Sequence, residues 1–234
     1  MKAVIPMIPV IFVLLLSSST TFPTGSAVSV DIFGPESKPY GLSYEDHIKN
    51  FWKYITAIPA DKNPWNDKTG ENCAVGQSGT NSSVFYLSGN GGDKFNLSCK
   101  IPAGKSLFIP VSPMEISTKE APNTSIEDLH RIAKKDQDSI TSLYLKIGDK
   151  VYNAEDLKKY RIPTGDFQVV FDKNSVFGTS EGNSTAVADG YYVITEPLAK
   201  GNYVIAYKSS LICPGVDCLQ PSFAQDMTYN LIVE

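Results

Sequence analysis

The chain has 234 residues, of which 42% are hydrophobic, and a formal net charge of −4. Such a chain can bury one sizeable core, as an ordinary globular protein does. Its lysines and arginines are scattered rather than clustered, which argues against nucleic acid as a partner because phosphate binding requires a concentrated basic surface.

The N-terminus has the features of an export signal. Lys2 precedes an apolar run from Ala3 to Leu16, and the small residues Gly25 and Ala27 follow in the pattern that signal peptidase prefers. We expect cleavage after Ala27, which leaves a single domain of residues 28–234, secreted or held at the cell surface without a membrane span. A retained anchor is the alternative, although the apolar run is shorter than the roughly 20 residues that span a bilayer.

The first element after the signal is a predicted helix. Ser43 is its N-cap, Asp46 lies three residues on, and Pro59 ends it. Apolar residues recur at helical spacing at Ile48, Phe51, Trp52 and Ile55. Phe51, Trp52 and Tyr54 could form an aromatic platform for a sugar, but this spacing favours packing against a sheet.

A polar segment, DKNPWNDKTGEN, follows between Asp61 and Asn72. It resembles a calcium loop in composition, but Trp65 and Asn66 stand where an EF-hand needs a ligand and a glycine. Asn, Asp, Pro and Gly also favour turns, so we predict a solvated loop, and no metal or cofactor. If the protein binds a ligand at this loop, its candidate surface consists of Trp65, Asp67 and Gln77.

Four cysteines, Cys73, Cys99, Cys213 and Cys218, are expected to pair in an exported chain. Three connectivities are open, and we favour Cys73 with Cys99 and Cys213 with Cys218 because each couple flanks a self-contained segment. The first loop would contribute roughly 3–4 kcal/mol and the second about 2 kcal/mol. Zinc is the less favoured alternative, because neither couple has the short spacing of a zinc site.

The rest of the chain predicts mainly β structure with one more helix. Ser125 caps that helix, whose apolar stripe includes Leu129 and Ala133. Short apolar or alternating runs predict strands at residues 84–87, 95–101, 107–111, 143–147, 151–152, 167–171, 191–195, 202–207 and 227–233. Strands at this spacing are typical of an all-β fold, an antiparallel β-sandwich of jelly-roll or immunoglobulin-like type, decorated here by two short helices.

Four Asn-X-Ser/Thr sequons are candidate glycosylation sites in an exported chain: Asn81, Asn96, Asn123 and Asn183. Their number suggests that these asparagines lie in surface loops.

Several motifs together resemble a known family. They are FWKYITAIP, NPWNDKTGENCAVGQSG, VFYLSGNGG, CKIPAGKSLFIPV, ADGYYVITEPLAKGNYVIAYK and DMTYNLIVE. Over most of the mature chain they are similar to a widespread family of uncharacterised exported microbial proteins. Phe51 and Tyr54 stand where that family tends to place tryptophans, and the Cys213–Cys218 couple is not part of its pattern. The resemblance implies export and the fold, and it carries no activity.

Three roles are compatible with these patterns. The first is a non-catalytic secreted or cell-surface sandwich that binds a ligand such as a glycan or cell-surface component, and the second is a structural envelope component that associates with copies of itself. The third is a glycan-active hydrolase using an Asp/Glu pair, which requires two carboxylates converging in a pocket, one of them desolvated. No GxSxG motif or Ser-His pairing is apparent, so we rank binding or structural roles above catalysis.

Overall fold

The computed structural model describes residues 30–77, 83–215 and 218–234. Within them the chain forms nine strands and three α-helices. The helices are α1 (Tyr44–Thr56), α2 (Ile126–Asp138) and α3 (Ala154–Leu157). The strands are β1 (Val84–Tyr86), β2 (Lys94–Ile101), β3 (Ser106–Ser117), β4 (Ile140–Ile147), β5 (Lys150–Tyr152), β6 (Phe167–Phe171), β7 (Gly182–Ile194), β8 (Gly201–Ile212) and β9 (Ser222–Val233).

The strands form two sheets, of order β1-β3-β7-β6 and β2-β9-β8-β4-β5. The predicted all-β, sandwich-like fold is confirmed. The prediction of purely antiparallel sheets is wrong, because β1 pairs with β3 and β2 with β9 in parallel. Alternating sequence patterns report which face of a strand is buried but not the direction of its neighbour, so these two pairings have no local signal. The short third helix, α3, was also not predicted.

Both predicted N-caps are formed. At α1 the Ser43 hydroxyl accepts from the Asp46 amide, while the Asp46 carboxylate accepts from the Ser43 amide. This capping box satisfies two groups that a helix end otherwise leaves open. At α2 the Ser125 hydroxyl accepts from the Asp128 amide.

Helix α1 packs against the first sheet through its apolar face. The rings of Phe51 and Phe108 on β3 stack with centroids 5.2 Å apart, and Trp52 Nε1 donates to the Tyr192 hydroxyl on β7 at 3.2 Å. Helix α2 packs against β3 and β7 through Leu129 and Ala133. Strands β3 and β7 are therefore buried over most of their length.

Two disulfides of the predicted pairing are present, Cys73–Cys99 and Cys213–Cys218. The first joins the loop after α1 to β2, and the second closes a short ring between β8 and β9. The three sequon asparagines in the described ranges, Asn96, Asn123 and Asn183, are exposed. The prediction that they lie in loops is wrong for Asn96 and Asn183, which are on the outward-facing side of β2 and at the start of β7. Asn81 and the predicted signal segment of residues 1–27 lie outside the described residues. No helix in the described part of the chain is long and apolar enough to span a membrane.

Candidate functional site

Asp67, one of the three residues of the predicted ligand surface, organises its own loop. Its carboxylate accepts from the Thr69 amide and hydroxyl, both at 2.9 Å, and from the Asn72 amide at 2.7 Å. Burial opposes ionisation of Asp67, but these hydrogen bonds outweigh it and lower the pKa of the carboxyl below its usual value. The side chain is thus engaged within the loop.

Gln77, the second residue of that surface, covers the edge of the first sheet. Its side-chain amide donates to the Tyr86 carbonyl at 2.6 Å and accepts from the Tyr86 amide at 2.9 Å. Strand β1 is at the edge of its sheet, so these are the backbone groups that a further strand would otherwise pair with.

Trp65, the third residue, lies against other aromatic side chains. Its ring centroid is 5.7 Å from that of Trp52 and 5.4 Å from that of Phe177, and the latter two are 6.1 Å apart. The three rings form one continuous wall, which borders a cavity. Neither Asp67 nor Gln77 lines this cavity, so the structure separates the three predicted residues.

We call this space the Trp65 cavity. It has a volume of about 300 Å³. Four aromatic side chains and six with carboxyl or amide groups contribute to its lining: Trp52, Trp65, Phe177, Phe223, Asn90, Glu115, Glu120, Asp136, Gln137 and Gln220. No lysine, arginine or histidine within the described ranges lines it. A concave space that combines an apolar wall with a few converging polar groups is the usual form of a small-ligand site.

Glu115 and Glu120 approach each other because of the local chain path. Glu115 lies near the end of β3, and the chain reverses direction in the turn that follows. In this turn the Glu120 amide donates to the Ser117 carbonyl at 3.1 Å, and the Ser117 hydroxyl donates to Glu120 Oε2 at 2.6 Å. Each carboxyl group influences the pKa of the other, so the two lie within interaction distance. Two neighbouring carboxyl groups do not both ionise readily, because their negative charges repel.

Burial is the main reason that these carboxyl groups resist ionisation. It raises the pKa of Glu115 well above its usual value, and the charge of Glu120 and the hydrogen bond with Glu120 add to the effect. Burial also raises the pKa of Glu120, although hydrogen bonds from Ser117 oppose this shift. Perturbed carboxyl groups that converge in a cavity are typical of functional sites, although structural pairs also occur.

Two buried oxygen atoms at the cavity lack a hydrogen-bond partner among the described residues. They are Glu115 Oε1 and Gln137 Oε1, whose residues are 5% and 3% exposed. An unpaired buried acceptor costs about 1–3 kcal/mol. Both atoms are therefore suited to accept from donors of a bound molecule.

The end of α2 is fixed at the cavity by ion pairs and by the C-terminal loop. Arg161 donates to Asp189 on β7 at 2.8 Å and to Asp138 on α2 at 2.6 Å. Asp136 accepts from the Leu219 amide at 3.1 Å, and burial raises the pKa of this aspartate despite that bond. These contacts hold the last turn of α2 in place.

The Cys213–Cys218 ring lies beside Asp136. The Asp136 carboxylate and the two sulfur atoms are within 4.8 Å of one another, which is a spacing that metal ligands could have. Since both sulfurs are joined in the disulfide, neither is a thiolate that could bind a metal. The ring instead restrains the segment that contributes Leu219, Gln220 and Phe223 to the cavity lining.

Comparison of the chain with protein-family models, with curated proteins and with solved structures finds no match. The resemblance to exported microbial proteins accordingly stays a prediction.

Sequence reasoning missed Glu115, Glu120 and Gln137. The one signal for Glu115 is its position inside the apolar strand LFIPVSPMEIS, where a carboxylate between Met114 and Ile116 is unusual. No comparable local signal marks Glu120 or Gln137, because each follows a run of charged or polar residues in the sequence.

Proposed function

We propose that the protein is an exported, non-catalytic binding protein that takes a saccharide unit into the Trp65 cavity. The observation that carries the proposal is the pairing of an aromatic wall with the unpartnered oxygens Glu115 Oε1 and Gln137 Oε1 in one cavity. A ligand for this space needs an apolar face and several hydrogen-bond donors. A sugar ring has both, since its C–H face can stack on an aromatic ring while its hydroxyls donate to oxygen acceptors.

The size and composition of the cavity support a small ligand of this kind. Its volume of about 300 Å³ is at the lower end of small-molecule sites, which fits one sugar unit or the end of a chain. Anionic ligands are disfavoured, because Glu115, Glu120 and Asp136 all contribute carboxyl groups and no basic side chain of the described residues lines the space.

Export is part of the same proposal. Two disulfides, Cys73–Cys99 and Cys213–Cys218, support an oxidising compartment, since such bonds seldom persist in the cytosol. Exposure of three sequon asparagines is compatible with glycan attachment in a host that supplies it.

A glycan array probed with labelled residues 28–234 tests the binding proposal. We expect wild type to bind a defined set of glycans, Trp65→Ala to lose the signal, and Val170→Ser to keep it. Val170 is 51% exposed on β6 and does not line the cavity, so it is a matched control for an apolar-to-small change. Circular dichroism melting curves show whether each variant is folded. Absence of binding by folded wild type, or binding that Trp65→Ala leaves intact, contradicts the proposal.

Hydrolysis by a carboxylate pair is a second candidate, and the Glu115–Glu120 contact is the observation that favours it. However, a glycosidase needs one of its two carboxyl groups ionised, as nucleophile or base. Burial raises the pKa of both Glu115 and Glu120, so both groups resist ionisation. Release of nitrophenol from a panel of nitrophenyl glycosides by wild type, and its loss in Glu120→Gln, would favour hydrolysis over simple binding.

A further inference from the structure

The Glu115–Glu120 pair lacks the cationic partner that buried carboxylates usually have. In the described chain, neither residue takes part in a salt bridge, and the lining of the Trp65 cavity contains no basic side chain. Two buried carboxylates are costly unless a proton or a cation compensates their charge. The pair is therefore a place where a positive charge is strongly favoured.

A separate observation indicates a ligand in the same cavity. Gln137 is 3% exposed, lines the cavity, and leaves its Oε1 atom without a partner among the described residues. An amide oxygen is a neutral ligand that hard cations accept together with carboxylates.

The surroundings of Gln137 favour positive charge as well. Gln137 belongs to the last turn of α2, which ends at Asp138, and the carbonyl groups at the end of a helix carry partial negative charge. Asp136, in the same turn, adds a third carboxyl group to the cavity lining.

We propose that Glu115, Glu120 and Gln137 form a binding site for a divalent cation that prefers oxygen ligands, with Ca²⁺ as the best fit. Two carboxylates and one amide supply up to five oxygen atoms, and the cavity has room for waters to complete the six to eight ligands that Ca²⁺ takes. The two carboxylate charges neutralise the ion, and protons that the two carboxyl groups carry are released to solvent when the ion binds. This site is distinct from the segment of residues 61–72, where the EF-hand pattern fails.

The two tryptophans of the chain make the site directly measurable. Both Trp52 and Trp65 line the cavity, so a terbium ion bound there in place of Ca²⁺ will emit when tryptophan is excited. We expect saturable terbium emission with residues 28–234, and competition by Ca²⁺. Glu115→Gln and Glu120→Gln should each weaken binding at least tenfold, because each removes a charged ligand.

Glu127→Gln is the matched control, since Glu127 is an exposed carboxylate on α2 outside the cavity. It should leave the terbium affinity unchanged.

The titratable groups that line the cavity are Glu115, Glu120 and Asp136, and all of them bind protons as the pH falls. The affinity should accordingly increase with pH, and calorimetry of Ca²⁺ binding in two buffers of different ionisation heat should show proton release.

Several results would overturn the proposal. Wild type that gives neither terbium emission nor calorimetric heat with Ca²⁺ has no such site. Emission that Glu115→Gln and Glu120→Gln leave unchanged places the ion elsewhere. If one variant fails to fold, the other variant and the wild-type calorimetry still decide the question.

Discussion

Replacing Glu115 by glutamine should stabilise the metal-free protein at neutral pH, although it removes a group that we assign to function. The side chain is 5% exposed, its Oε1 atom has no partner, and its pKa is raised well above the usual value, chiefly by burial. Glutamine has nearly the same shape and no charge. It therefore keeps the packing and removes the cost of holding a buried carboxyl group that would ionise in the unfolded chain.

The magnitude follows from the linkage between proton binding and folding. Above the usual pKa of glutamate, about 4.3, the unfolded chain has released the Glu115 proton while the folded protein still holds it. The free energy of unfolding of wild type thus falls as the pH rises, by up to about 1.4 kcal/mol per pH unit, until the folded-state pKa is passed. The free energy of unfolding of Glu115→Gln does not fall in this way, because glutamine does not ionise. By pH 7 we expect Glu115→Gln to be the more stable of the two proteins, and each kcal/mol of difference raises the melting temperature by about 2–4 °C in a domain of this size.

Urea unfolding followed by tryptophan fluorescence, at a series of pH values and with a chelator present, measures this difference. The gap between wild type and Glu115→Gln should be small at about pH 4 and widen toward pH 7. Glu127→Gln changes an exposed position, so its free energy of unfolding should follow that of wild type at every pH. Parallel curves for wild type and Glu115→Gln would refute the conclusion that Glu115 is buried with a raised pKa. Saturating Ca²⁺ should reverse the order, because only wild type keeps both charged ligands.

Three further substitutions test the surroundings of the site by urea unfolding. Asp67→Ala should lower the free energy of unfolding by about 2–3 kcal/mol, since it leaves three donors in the loop without their acceptor, whereas Asp67→Asn should cost less. Gln77→Ala should cost about 1–3 kcal/mol, because it exposes the amide and carbonyl of Tyr86 at the sheet edge, and Gln77→Glu should restore only the bond from the amide. Replacing Cys213 and Cys218 together by serine should cost about 2 kcal/mol and weaken ligand binding at the Trp65 cavity as well, whereas a purely local effect would leave ligand affinity unchanged.

Much of the fold could be predicted from the sequence because its signals are local. The Ser43–Asp46 capping box and the helical spacing of Phe51 and Trp52 define α1, and strict alternation defines strands such as β6 and β8. The parallel pairing of β2 with β9 joins segments more than a hundred residues apart, and no short pattern encodes it. Long-range pairings of this kind depend on how the whole sheet assembles.

The site was harder to predict than the fold for the same reason. Trp65 was identified from its polar loop, but its role depends on Trp52 from α1 and Phe177 from the segment before β7. Trp52 was assigned to the core, and it both packs there and lines the cavity. Glu115 and Gln137 are on different elements, so only the tertiary structure shows that their unpartnered oxygens share one space.

Intrinsic tryptophan fluorescence during saccharide titration tests the central claim most directly. Trp52 and Trp65 are the two tryptophans of the chain and both line the cavity, so any ligand that enters it changes their emission. We predict a saturable change with the glycan that scores highest on the array, and an affinity reduced about two- to tenfold in Glu115→Ala, since a hydrogen bond between neutral groups contributes about 0.5–1.5 kcal/mol. No saturable change with any glycan class, or an affinity that is equal in wild type and Glu115→Ala, would contradict the assignment of the Trp65 cavity as a saccharide site.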